Sequence, residues 1–78
     1  MDISVRLFAS FAEVLGASHA TISVPEPATV EGLRTALSAL APRLALRPLV
    51  AVNEEYARDD QLISLTDEVA VIPPVSGG

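Results

Sequence analysis

The chain contains no cysteine, no tryptophan and no lysine in its 78 residues. Without cysteine there is no disulfide staple, no thiolate metal site and no cysteine nucleophile. Aromatic side chains amount to Phe8, Phe11 and Tyr56, so the core must be built from Val, Leu, Ile and Ala. A small domain without staples depends on packing such a core well. Half of the residues are hydrophobic, enough for one core in one domain. Histidine occurs once, at His19; no second imidazole exists for a metal cluster or a nucleophile pair. At the edge of a strand it reads as a solvated surface group. There is no glycine-rich phosphate loop. No run reaches membrane-spanning length, and the opening "MDISVRLF" alternates rather than forming the apolar stretch of a signal peptide. A soluble, cytoplasmic protein is expected.

Positive charge is also sparse. Ten acids against five bases leave a net charge of −5. That balance argues against nucleic acid, whose phosphates would be repelled, and against an anionic membrane surface. It permits a partner with a basic groove. The bases are Arg6, Arg34, Arg43, Arg47 and Arg58. Compositional bias is one reading of the missing lysine. The other is that an activated carboxyl group would find no lysine on its own chain to acylate. Six of the acids fall in neighbouring pairs, Glu54–Glu55, Asp59–Asp60 and Asp67–Glu68, at expected turns and strand ends. There they read as solvated turns rather than acid/base machinery.

What is present is a clear pattern. Residues 2–8 alternate, with Ile3, Val5 and Leu7 on one face and Ser4, Arg6 and Phe8 on the other, as in a half-buried strand. Ser10 and Glu13 have capping-box spacing and Gly16 stands where a helix would stop, which predicts a short helix over 10–15. "HATISV" alternates again. Thr29 is a candidate N-cap for a main helix over 29–41 carrying Val30, Leu33, Leu37 and Leu40, closed by Pro42. Gly32 in its first turn lets it approach the sheet closely. "PLVAVN" reads as a central strand and "NEEYARD" as a turn with a short edge strand. Leu62 and Leu65 are the expected anchors of the following loop. "EVAVI" is the last strand, with Val69 and Val71 on one face and Ala70 and Ile72 on the other. The order implies an α+β domain in which one mixed sheet wraps one main helix.

The ending "IPPVSGG" stands apart. Proline stops a sheet ladder and Pro73–Pro74 favours an extended, stiff backbone. From Pro73, six residues reach roughly 20 Å. Gly77 and Gly78 lack a Cβ, so they could enter a channel that excludes other residues. The tip is the α-carboxylate of Gly78. Residues 1–72 are thus expected to form the domain, and residues 73–78 a flexible Gly-Gly tail. Pro73, Pro74, Val75, Ser76 and Gly77 would lie in a partner's channel. On the face that should be wet, Phe8, Ala70 and Ile72 remain apolar, joined by Tyr56 on the edge strand; such a patch at the root of the tail points to a docking surface.

These residues resemble the ubiquitin-like sulfur-carrier proteins, and most closely the MoaD family, the small subunit of molybdopterin synthase. The resemblance rests on "LFASFAEVLG", "LVAVNEEYA" and "DEVAVIPPVSGG", spread across the whole chain. Thr66 stands where the family commonly has a glycine, which bears on the turn and not on the tail. "FASFAEVLG" and "PPVSGG" both weigh against the thiamine sulfur carrier. The resemblance implies a β-grasp fold, and a chain with no bound cofactor that is not catalytic alone. It also implies three partners. An E1-like enzyme adenylates Gly78 with ATP, a sulfur donor enzyme converts it to a thiocarboxylate, and a MoaE-like large subunit receives the tail. Sulfur then passes to cyclic pyranopterin monophosphate during molybdenum cofactor biosynthesis. Delivery to thiamine or cysteine, or conjugation to lysines of other proteins, are the alternatives.

Overall fold

Seven elements follow one another along the chain: β1 (Asp2–Leu7), α1 (Ala9–Leu15), β2 (His19–Ser23), α2 (Val30–Leu40), β3 (Leu49–Val52), β4 (Glu55–Tyr56) and β5 (Val69–Ile72). They come from a computed structural model that describes residues 1–40 and 48–72. β1 buries Ile3, Val5 and Leu7 and exposes Asp2, Ser4 and Arg6, because successive side chains of a strand point to opposite faces. The strands form one sheet in the order β2-β1-β5-β3-β4. β5 is parallel to β1 and the other pairings are antiparallel. β3 is interior as its apolar run implied, but the middle position belongs to β5. That strand arrives last in the chain and fills the gap between β1 and β3. This mixed sheet around one main helix is the expected β-grasp, ubiquitin-like arrangement.

α2 lies on the inner face through Val30, Leu33 and Leu37, all fully buried. Thr29 caps it, its Oγ1 accepting the Gly32 N–H at 3.1 Å. Gly32 allows the close approach expected of it: a Cβ there would stand 3.1 Å from Val24 Cγ1. The expected stop at Pro42 lies outside the described residues. The loop after β4 closes on the start of α2. Val30 N–H donates to Gln61 O at 3.0 Å and Glu31 N–H to Asp59 O at 3.0 Å, which satisfies helix donors that have no partner within the helix.

Two sequence expectations are corrected here. Ser10 and Glu13 do not form a capping box. Phe8 is the N-cap, in an extended conformation with no side-chain cap bond, and the helix begins at Ala9. β1 is held in line by the Leu7 N–H bond to Ser18 O at 2.8 Å, so the turn falls at Phe8–Ala9 and Ser10 is already helical. Gly16 does end the helix, at φ 71°. Leu62 and Leu65 do not anchor their loop; they are 63% and 71% exposed, and Ile63 is buried instead. Leu62 bridges Thr29 in extended backbone, where neighbours face opposite ways, and Ile63 takes the inward side.

Candidate functional site

The outer face of the sheet is built by register. Across it, His19 pairs with Arg6, Arg6 with Ala70, Ala70 with Ala51 and Ala51 with Tyr56. Paired residues share a face, so Ala70 and Tyr56 lie in one row with Ala51 between them. Two residues further along β5, Ile72 pairs with Leu49. Phe8 follows Leu7, whose partner is Val71, and so stands at the same end of the sheet as Ile72. Phe8 is 40% exposed, Tyr56 71% exposed, and Ala70 and Ile72 half-buried. The four expected docking residues therefore share one face. Leu49 adds a half-buried apolar side chain to this face, and Ala51, between Ala70 and Tyr56, is buried. Their outward parity was present in the run "LVAV", but the run gave no way to tell its two faces apart. The Arg6 guanidinium carbon lies 5.4 Å from the centre of the Phe8 ring, a cation–π contact that gives the apolar end a cationic border.

The opposite end of this face is acidic and polar. Asn53 and Glu54 form a two-residue hairpin between Val52 and Glu55, with φ of 52° and 69°. Asn53 donates its amide to Asp67 Oδ1 at 3.0 Å and accepts the Glu68 N–H at 2.9 Å. Asp67 Oδ2 accepts the Ser64 N–H at 2.8 Å. That backbone bond first, and the Asn53 amide second, hold the Asp67 carboxyl below its ordinary range. The turn thus accommodates Thr66 without a glycine: Thr66 has no positive φ, and its hydroxyl lies 3.0 Å from Ser64 Oγ.

Other polar groups pair with neighbouring side chains or backbone. Asp59 is not simply a solvated turn residue: it pairs with Arg34, whose Nε also donates to Pro48 O at 2.8 Å. Asp60 pairs with Arg58 at 3.2 Å; their hydrogen bond lowers the Asp60 pKa and raises that of Arg58. His19 is exposed, its Nδ1 3.1 Å from Ser18 Oγ. Among the described residues no three His, Asp or Glu come together as metal ligands. No helix among them is long and apolar enough to cross a membrane. Pro73, Pro74, Val75, Ser76, Gly77 and Gly78 lie outside the described residues. What the described residues supply is the root of the tail, β5, set in the middle of the sheet beside the apolar face.

Comparison with known proteins adds the following. The ThiS family matches residues 5–78. The molybdopterin synthase sulfur carrier subunit of Homo sapiens is 40% identical over 83 residues, covering 99% of this chain and 94% of that protein. Among solved structures, SAMP1 from Haloferax volcanii is similar with a TM-score of 0.76 and 32% identity, each chain covered in full. A chain in the complex of subunits 1 and 2 of molybdopterin-converting factor from Helicobacter pylori shares the fold, with a TM-score of 0.62, 22% identity and full coverage of both chains.

Proposed function

The chain belongs to the ThiS family and, by full-length likeness, to its molybdopterin synthase sulfur carrier subunits; from that premise we propose that it carries sulfur as a thiocarboxylate on Gly78. The observation that carries the reading is the 40% identity to a curated carrier subunit along nearly the whole of both chains, with "PPVSGG" inside the segment matched by the family. In this reading an E1-like enzyme uses ATP to adenylate Gly78. A carboxylate is a poor electrophile, and the adenylate gives it a leaving group. A sulfur donor then displaces AMP. The thiocarboxylate is ionised at neutral pH and nucleophilic, ready to pass sulfur to cyclic pyranopterin monophosphate. The large subunit of molybdopterin synthase binds the face of Phe8, Tyr56, Ala70 and Ile72, and takes residues 73–78 into its active site. The described part of this chain offers a rigid handle, and the chemistry belongs to its partners.

The test is intact mass. Incubation with the activating enzyme, ATP and a sulfur donor should add about 16 Da, oxygen replaced by sulfur. Deleting Gly78, or appending one residue after it, should abolish the gain and leave the fold intact. Sulfur loading of the extended variant would overturn the assignment. A second reading, conjugation to lysines of other proteins, is favoured by the likeness to SAMP1, a small archaeal modifier protein. Gly-Gly remnants on partner lysines, without the sulfur-loaded species, would select it.

A further inference from the structure

Arg6 is exposed on the docking face, and its surroundings set it apart from the other described arginines. Arg34 is paired with Asp59 and Arg58 with Asp60. Among the described residues, Arg6 has no carboxylate within ion-pair distance and no acceptor for its N–H groups. Its contact is with Phe8, the guanidinium carbon lying 5.4 Å from the ring centre. A guanidinium over a ring uses its flat face, and its N–H groups lie in the plane, open to an acceptor.

The acids of this face lie away from Phe8. A cleft beside β1 is lined by Ser4, Arg6, His19, Asp67 and Glu68, but its two acids belong to the end opposite the tail. The Asp67 carboxyl accepts the Ser64 N–H and the Asn53 amide, and Glu68 directly precedes β5. Further along β1, Asp2 accepts the Ser23 hydroxyl at 2.8 Å. By turning to Phe8, Arg6 carries its charge toward Ile72 instead. His19 stands beside Arg6 across the strands; an imidazole is neutral or cationic, so it cannot cancel that charge. The face thus has a cation at the tail end and acids at the other.

A partner that covers Phe8 and Ile72 covers Arg6 with them, because the guanidinium and the ring are in contact. A charge taken out of water without a counter-charge is strongly unfavourable. A carboxylate answers it with two parallel bonds that match the arginine fork. On the carrier reading above, we propose that Arg6 is a positioning residue of the docking face, which receives a carboxylate side chain of the large synthase subunit. Asp67 and Glu68 call for basic groups at the other end. One orientation on the sheet satisfies both ends, and a half-turn sets like charges together. The ion pair at Arg6 thereby fixes which way β5 presents the root of the tail to the partner.

The test is calorimetry of the full chain with the large subunit, at two salt concentrations, for wild type, Arg6→Gln and Arg6→Glu. Affinity should fall at least tenfold in Arg6→Gln and further in Arg6→Glu. The Arg6→Gln complex should also depend less on salt, since one ion pair fewer is screened. The thermal midpoint of Arg6→Gln should not change, because Arg6 is exposed. Acids around the subunit's docking surface are then replaced one at a time by arginine. One such change should restore binding of Arg6→Glu and not improve that of wild type. Wild-type affinity in both variants would place Arg6 at a wet rim and overturn the proposal. So would a loss that no acid-to-arginine change restores, or one that follows a lowered thermal midpoint. A wild-type chain that neither takes up sulfur nor binds the subunit overturns the carrier reading and this proposal together. A wild type that does both, with Arg6 variants that bind equally well, overturns the role of Arg6 alone.

Discussion

Arg34 is the buried charged side chain among the described residues, and its bonds to Pro48 O and Asp59 join three parts of the chain: α2, Pro48 before β3, and the loop after β4. Replacing it with methionine keeps the packing volume and leaves the buried Pro48 carbonyl without its donor, which costs about 1–3 kcal/mol. Asp59→Asn should cost less, because water reaches Asp59. Urea melts of the two variants decide this. Glu54 is the reverse case, a side chain where glycine fits better. A type I′ hairpin needs positive φ at both central residues and prefers Asn-Gly. Asn53 complies, whereas Glu54 at φ 69° carries the left-handed penalty. Glu54→Gly should raise stability by about 0.5–1 kcal/mol, the relief being partly offset by glycine's extra unfolded freedom, and the thermal midpoint by about 3–6 °C. Asp67 adds a pH dependence. Its folded-state pKa lies below the ordinary value of 3.8, so its contribution is fully present above 3.8 and lost as pH falls through the folded value. Asp67→Ala should therefore lose stability at neutral pH and show a shallower acid limb in melts between about pH 2 and 5.

At the scale of elements, α2 shows packing overriding propensity. Alanine is favoured over glycine within a helix by up to about 1 kcal/mol, so Gly32→Ala would stabilise an isolated helix. In this fold the new methyl meets Val24 Cγ1 at 3.1 Å and Thr29 Oγ1 at 3.4 Å. Val24 is buried and β-branched, with little room to yield, and Thr29 is the cap. Overpacking of this kind costs about 1–3 kcal/mol. The variant should be neutral to destabilised by about 2 kcal/mol, and a rise in thermal midpoint would show that the helix can shift off the sheet. α1 illustrates the same priority. Its start was set by the line of β1 and the Leu7–Ser18 bond, and the capping signal in Ser10 and Glu13 was overruled.

For the molecule as a whole, the sheet separates two duties. Its inner face holds the core against α2, and its outer face leaves Phe8, Ile72 and Tyr56 accessible beside the root of the tail. Ile72→Arg tests the division. Ile72 is half-buried on the outer face, so an arginine there can reach water in the free protein, and the thermal midpoint should change little. In a complex with the large synthase subunit it would be an unpaired charge in a contact, at a cost of several kcal/mol, or at least a hundredfold in affinity by calorimetry. A collapse of stability instead would place Ile72 in the core. Against a basic groove on that subunit, the net charge of −5 should make the affinity fall as salt is raised.

The sequence alone determined the parts whose signals are local. Alternation in β1, β2 and β5 fixed which residues face inward, because the strand period is two. The spacing of Val30, Leu33 and Leu37 and the cap at Thr29 fixed α2, and Gly16 fixed the end of α1. The outward apolar parity of Phe8, Ala70 and Ile72 was legible for the same reason. Tertiary structure decided what depends on neighbours distant in sequence. The middle place of β5 follows from pairing with β1 and β3 at once. The union of Tyr56 and Ala70 through Ala51 follows from register across three strands. Asp59 became an ion-pair partner only because α2 brings Arg34 to it. Leu62 and Leu65 were exchanged for Ile63 because the bridge to Thr29 sets which side of the loop faces the core. A hydrophobic residue in a loop declares that it can be buried, but which one is buried depends on the backbone it pairs with.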